Sequence, residues 1–266
     1  MPEPLPVFRR ALSESWRSLL GWSVGIAAAL LLYLPLFPSI GGNGQMQQML
    51  ETLPPELVKT LGYEQIGTGA GYAQGTFFGL IGFLLLTIAA TAWGSAAIAG
   101  AEETGKLELA LAHGAGRVQY ALESALAILV RLVWLGGVGA LLVIALDGPS
   151  KLGLDPGNVL AASAALVGLT MLSGAFALAV GALTGRRSFA TAAGAGVAVL
   201  GYVTNAIANQ VEDAQWLRSV SPYAWAYREN PIADGADWAG LGLLWGVSAL
   251  LVAVAALALR RRDITG

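Results

Sequence analysis

Three carboxylates and a lysine stand close together in Gly100-Ala101-Glu102-Glu103-Thr104-Gly105-Lys106-Leu107-Glu108, between two long apolar runs. The first seven residues fit the opening of a phosphate-binding loop, in which glycines cradle a polyphosphate and the lysine reaches it. Three observations exclude that chemistry. The eighth position, which must be Ser or Thr to hold Mg²⁺, is Leu107. Glu102 and Glu103 would face the phosphates with charge of the wrong sign. The loop also follows an apolar run long enough for a membrane span, not a strand of an α/β sheet. Other reactive side chains are scarce. There is no cysteine, so disulfides, thiolate chemistry and Cys-ligated metals are excluded. A lone histidine, His113, cannot build a histidine metal site or a proton relay, and it is assigned no role. No catalytic residue and no metal site are expected, and a net charge of -2 suggests no nucleic-acid partner.

The elements that carry this segment are apolar. Of 266 residues, 56% are hydrophobic and only 12% are charged, with a mean hydropathy of +0.64. Soluble domains carry about 25% charged residues, and here the deficit is spread along the whole chain. The reading is one all-α transmembrane domain over 1–266. Crossing a bilayer core of about 30 Å takes roughly 20 apolar helical residues. Six segments qualify: 19–37, 76–98, 124–146, 158–183, 189–208 and 239–259. The first is longer than a signal-peptide core and lacks a small-residue cleavage site after it, so it is read as a retained span. Ten Lys and Arg fall on the side of the two termini and four on the other. The excess predicts that both termini are cytoplasmic; the expected location is the plasma (inner) membrane.

Several segments between or beside the spans stand out. Residues 101–113 predict an amphipathic helix, with Glu103, Leu107 and Leu111 on one face and Glu102, Lys106 and Glu108 forming a charged surface. Such a helix either docks into a soluble partner or is a solvated connector. Phe8, Leu12, Trp16 and Leu19 recur on one face, which predicts an interfacial helix over 7–18. Met46, Met49, Leu50 and Leu53, then Pro55 to Leu61, predict two short helices on the outer face. Gly75/Gly79 and Gly242/Gly246 have the spacing that lets helices approach closely. Arg131 falls inside the third span. Its guanidinium is expected to snorkel to the interface, the alternative being a place on a translocation path or in an inter-helix pair. Thr204, Asn205 and Asn209 are candidates for the same path, against the plainer reading of helix-end polar groups. Trp216, Tyr223, Trp225, Tyr227 and Trp238 predict an aromatic belt or a partly re-entrant hairpin before the last span.

Four stretches together resemble one family. Residues 101–112, followed by Gly114 and Arg117, are similar to the loop after the second span of ABC-type exporter permeases of the second type. Glu102, Glu103, Gly105, Leu107, Glu108, Leu109, Leu111 and Arg117 match. Lys106 stands where a small residue or Thr is usual, and Gly114 where Pro is common. Ser221-Pro222-Tyr223-Ala224-Trp225 with Asn230-Pro231-Ile232 resembles the motif before the last span. Leu259-Arg260-Arg261-Arg262-Asp263-Ile264 resembles the family ending, and Pro54 to Gly62 its external helix. The resemblance implies a transmembrane half-transporter that pairs with a second copy or a related half among membrane lipids. It implies a separate P-loop ATPase that binds ATP and Mg²⁺, while this chain binds no cofactor. It makes the helix at Glu102 to Ala112 the coupling element, with Glu102, Glu103, Gly105, Leu107, Glu108 and Leu111 as contact residues. The implied activity is export, with a hydrophobic or amphipathic cargo such as a drug, antibiotic or lipid.

The residue pattern by itself leaves two other classes open. An ion-gradient transporter would carry carboxylates or broken helices at mid-membrane, and no Asp or Glu falls in the core of a predicted span. A non-transporting scaffold or immunity protein would share the composition and lack any stimulated ATPase.

Overall fold

A computed structural model describes residues 5–40, 52 and 65–262. The two external helices expected over 46–53 and 55–61 lie outside the described residues, as does the Asp263-Ile264 ending. All regular structure among the described residues is helical. Six helices are long and apolar enough to cross a membrane: α1 (Pro6–Ser39), α2 (Gly69–Glu103), α4 (Arg117–Ser150), α5 (Pro156–Thr184), α6 (Arg187–Gln210) and α10 (Trp238–Arg261). Short α3 (Lys106–Ala112) joins α2 to α4. Between α6 and α10 lie α7 (Leu217–Val220), α8 (Pro222–Tyr227) and α9 (Pro231–Asp234).

The helices outrun the apolar runs that predict them. At 1.5 Å per residue, the 34 residues of α4 extend about 50 Å, well beyond the hydrocarbon core. Residues 7–18 are not a separate interfacial helix, because α1 passes through them without a break. No Gly or Pro interrupts this stretch. Of its predicted face, Phe8, Leu12 and Leu19 are half-buried because α1 packs along α4, while Trp16 is exposed.

α5 occupies the centre and packs against α10, α6, α2 and α4. It is apolar on all sides, the pattern of a helix surrounded by protein. Small residues set the approach distances, since van der Waals packing drives helix association in lipid. A Cβ added at Gly94 would lie 2.4 Å from the Gly174 carbonyl oxygen, so α2 and α5 cross backbone to backbone. Of the two glycine pairs singled out by spacing, Gly79 does make a close approach, 2.7 Å from the Tyr223 hydroxyl to an added Cβ. Gly242 and Gly246 face open space.

Helix starts at the face opposite the termini are capped by local sequence. Thr68 accepts from Gly71 N at 3.0 Å, Asp155 from Asn158 N at 3.1 Å, Ser221 from Ala224 N at 3.2 Å and Asp237 from Gly240 N at 2.9 Å. Pro156 and Pro222 occupy the first helical position, where a missing N–H costs nothing. These side chains satisfy N–H groups that the helix itself leaves orphaned.

Gly94→Val is expected to destabilise the protein by about 1–3 kcal/mol through overpacking, read as a lower melting temperature in detergent. Gly242→Ala, which meets nothing and replaces glycine by a better helix former, is expected to hold or raise that temperature.

Candidate functional site

The segment between α2 and α4 forms two pieces, where the sequence predicts one helix. α2 continues through Ala101–Glu103, and Thr104 closes its last turn by donating to the Gly100 carbonyl at 2.8 Å. Gly105 then adopts φ +69°, a conformation that favours glycine, and α3 starts afresh. The break removes the shared face expected for Glu103, Leu107 and Leu111. Leu107 is fully buried and anchors α3 to the bundle, with Leu111 half-buried beside it. Lys106, Glu108, Leu109 and Ala112 remain exposed, with Leu109 at 53%. His113 ends the helix, its Nδ1 2.7 Å from the Leu109 carbonyl oxygen.

Glu102 and Glu103, expected to contact a partner, both bind other helices of the same chain, and Glu103 stays exposed. Glu102 forms an ion pair with Arg262 just past the end of α10. The same guanidinium donates to the Ala182 carbonyl of α5 at 2.8 Å. Arg117, which opens α4, donates to the Arg262 carbonyl at 2.6 Å. Glu103 accepts from Arg187 N at 2.8 Å, capping α6 where its sequence offers no capping side chain. One cluster of charges thus ties together the ends of α2, α4, α5, α6 and α10. Gly185, ending α5 at φ +66°, leaves the space that Glu102 and Arg262 fill.

Sequence reasoning missed Glu123, which is 2% exposed on α4. It accepts from Phe8 N in the first turn of α1 at 2.9 Å and from Gln119 Nε2 at 2.6 Å. The only sequence signal was a carboxylate abutting the start of an apolar run.

Arg131 does not snorkel. It is 8% exposed, its Nε donates to Ser15 Oγ at 3.0 Å and its Nη2 to the Ala11 carbonyl. The guanidinium also stands 5.3 Å from the Trp93 ring, a cation–π distance. Because α1 extends back through residues 7–18, protein surrounds the arginine where solvent was expected. Arg131 thereby links α4 to α1 and α2.

At the opposite face, the Ser221-Pro222-Tyr223-Ala224-Trp225 motif forms α8, which is tucked among the helix ends. Ser221 is fully buried and donates to the Gly201 carbonyl at 2.6 Å. Tyr223 and Tyr227 donate to the carbonyls of Gly79 and Phe78 at 2.8 and 2.9 Å. Those carbonyls sit in a π-helical stretch of α2, Gln74–Ile81. Where such a stretch returns to α-helix, the ladder passes over one carbonyl, and the tyrosines supply donors at that junction. Burial pushes the pKa of the Tyr227 hydroxyl well above 10, helped by Tyr223. Trp225 donates to the Ser219 carbonyl at 2.7 Å, while Trp216 and Trp238 are exposed.

The polar candidates on α6 do not converge. Thr204 bonds back to Leu200 O at 2.7 Å, Asn209 accepts from Arg218 at 3.0 Å, and Asn205 is half-buried nearby. Thr204, Pro222 and Trp225 do border an apolar cavity of about 530 Å³ between α5, α6 and α10.

Six membrane-length helices among the described residues, one of them central, with a short exposed helix between the second and third, define a polytopic membrane domain. The sequence model of the family described as ABC-2 family transporter protein matches residues 5–264, and the chain belongs to that family. No curated protein matches the sequence. Permeases of this family are membrane transport components that typically work with an ATPase partner.

A double-mutant cycle on Glu102→Ala and Arg262→Ala is expected to give a coupling of about 1–3 kcal/mol in unfolding. Additive effects would show that the ion pair does not hold the cluster.

Proposed function

We propose that the chain is the transmembrane half of an ATP-driven exporter and that α3 receives the force from a separate P-loop ATPase. The observation that carries this reading is the form of α3 and its attachment. It presents Lys106, Glu108, Leu109 and Ala112 outward, yet Leu107 plugs it into the bundle beside the charged cluster that joins five helices. A push on α3 would reach those helix ends together. Glu102 and Glu103 transmit through that cluster, and the docking surface is the exposed face of α3. The excess of Lys and Arg supports a cytoplasmic position for α3 and both termini.

Two halves, identical or related, would complete the pathway. The apolar faces of α1, α6 and α10 support this, since Leu31, Val199, Leu200 and Leu250 are all exposed. An apolar pathway suits a hydrophobic or amphipathic cargo.

Purification of the protein from its native membrane in mild detergent is expected to bring down a stoichiometric P-loop ATPase. Glu108→Arg with Leu109→Glu should reduce that association at least about tenfold, which corresponds to about 1.4 kcal/mol. The melting temperature should hold, because both side chains are exposed. A folded protein that captures no ATPase would overturn the reading, and gradient-driven transport would then be the question to test.

The absence of cysteine makes orientation directly measurable. A single cysteine at Asp213 should react with a membrane-impermeant maleimide in intact cells. One at Glu108 should react only after permeabilisation.

A further inference from the structure

We propose that the cavity bordered by α1, α2, α3, α4 and the start of α6 binds a phosphate-bearing anion, either an anionic lipid headgroup or a soluble phosphate. The cavity measures about 480 Å³, within the range of about 300–1,000 Å³ of small-ligand sites. It lies at the face that carries α3, and α1 packs chiefly on α4 and only lightly on α2.

Its charge is unbalanced. Arg10, Glu14, Lys106, Arg131 and Arg187 all line it. Arg10 and Glu14 neutralise each other at 2.8 Å. Lys106, Arg131 and Arg187 make no ion pair with a carboxylate among the described residues. Glu103 lies beside Arg187 but accepts from its backbone N–H.

Arg131 makes the strongest case. It is more than nine-tenths buried, and its protein acceptors, Ser15 Oγ and the Ala11 carbonyl, are neutral. Buried charges are ordinarily paired, because desolvation without a counter-charge costs several kcal/mol. A guanidinium has five N–H donors, and these two bonds use two of them. The remaining donors suit phosphate oxygens in a forked arrangement. Lys106 and Arg187 are exposed, Arg131 is buried, and Ser18 and Ser124 also line the cavity. Basic pockets between membrane helices recognise lipid headgroups in this way. The site depends on the membrane-spanning reading but not on ATPase coupling, so capture of the ATPase is scored separately.

The test uses the purified, delipidated full chain in detergent and native mass spectrometry. Phosphatidylglycerol is expected to bind at least about tenfold tighter than phosphatidylcholine. Because Arg131 also holds α1 to α4 and its removal can unfold the protein, the rim is varied in its place. Lys106→Gln with Arg187→Gln, which keeps the residue 187 backbone N–H on Glu103, should erase the preference. Arg260→Gln with Arg261→Gln, on exposed residues of the same face, should preserve it. Displacement of the lipid by excess inorganic phosphate, with the same sensitivity to the rim variant, would support the site and identify a soluble ligand. Persistence of the lipid under phosphate would support the headgroup. Equal binding of the two lipids with no phosphate binding, or equal loss in both double variants, would overturn the proposal.

Discussion

Hydrocarbon offers no hydrogen bonds, so each backbone group that leaves the regular helical ladder inside the bundle must find its partner in the protein. Much of what is distinctive here follows from that constraint. The π-helical stretch of α2 disturbs the ladder beside Phe78 and Gly79, and Tyr227 and Tyr223 donate there from α8. The first turn of α1 has an orphaned N–H at Phe8, and Glu123 of α4 accepts it. The first turn of α6 has one at Arg187, and Glu103 of α2 accepts it. Each repair joins two elements, so satisfying the backbone also specifies which helices are neighbours.

The two faces solve the problem differently. At the face away from the termini, Asp155, Ser221 and Asp237 cap their own helices within three residues. At the terminal face, carboxylates from other helices do so, and Glu102, Arg262 and Arg117 extend the same network. The terminal face is consequently bound together by long-range charge contacts, which couple helix ends more tightly than apolar packing alone. In the proposed mechanism this is the property required where α3 meets a moving ATPase. Lipid-facing helices can slide past one another, whereas ends joined through Glu102, Arg262 and the Ala182 carbonyl are constrained to move together.

The placement of charge also separates scaffold from surface in the segment from Glu102 to Ala112. Gly105 divides it. Before the break, both glutamates serve the bundle; after it, Leu107 anchors and Glu108 and Leu109 are presented. A motif of this kind therefore carries two jobs in adjacent turns. In a similar way, Arg131 holds α1 to α4 through neutral acceptors, which leaves its charge available to the cavity beneath α3.

Much of the architecture was legible in the sequence because hydrophobic runs of bilayer length admit only helices. The six spans, the all-helical class and the family follow from apolar length and from motifs spread across the chain. The caps at Asp155, Ser221 and Asp237 were equally local, since a capping side chain reaches an N–H only two or three residues away. Other features were decided by tertiary structure. Apolar periodicity cannot distinguish lipid from protein as the neighbour, so α5 was not recognisable as the central helix. The spacing of Glu103, Leu107 and Leu111 predicted one helix because the pattern does not register that Gly105 would turn the chain. The long-range hydrogen-bond partners of Glu102, Glu103, Glu123 and Arg131 lie 84 to 160 residues away. Nothing local marks which buried N–H, carbonyl or counter-charge a side chain will meet; only the packing of the six helices brings those groups within hydrogen-bond distance.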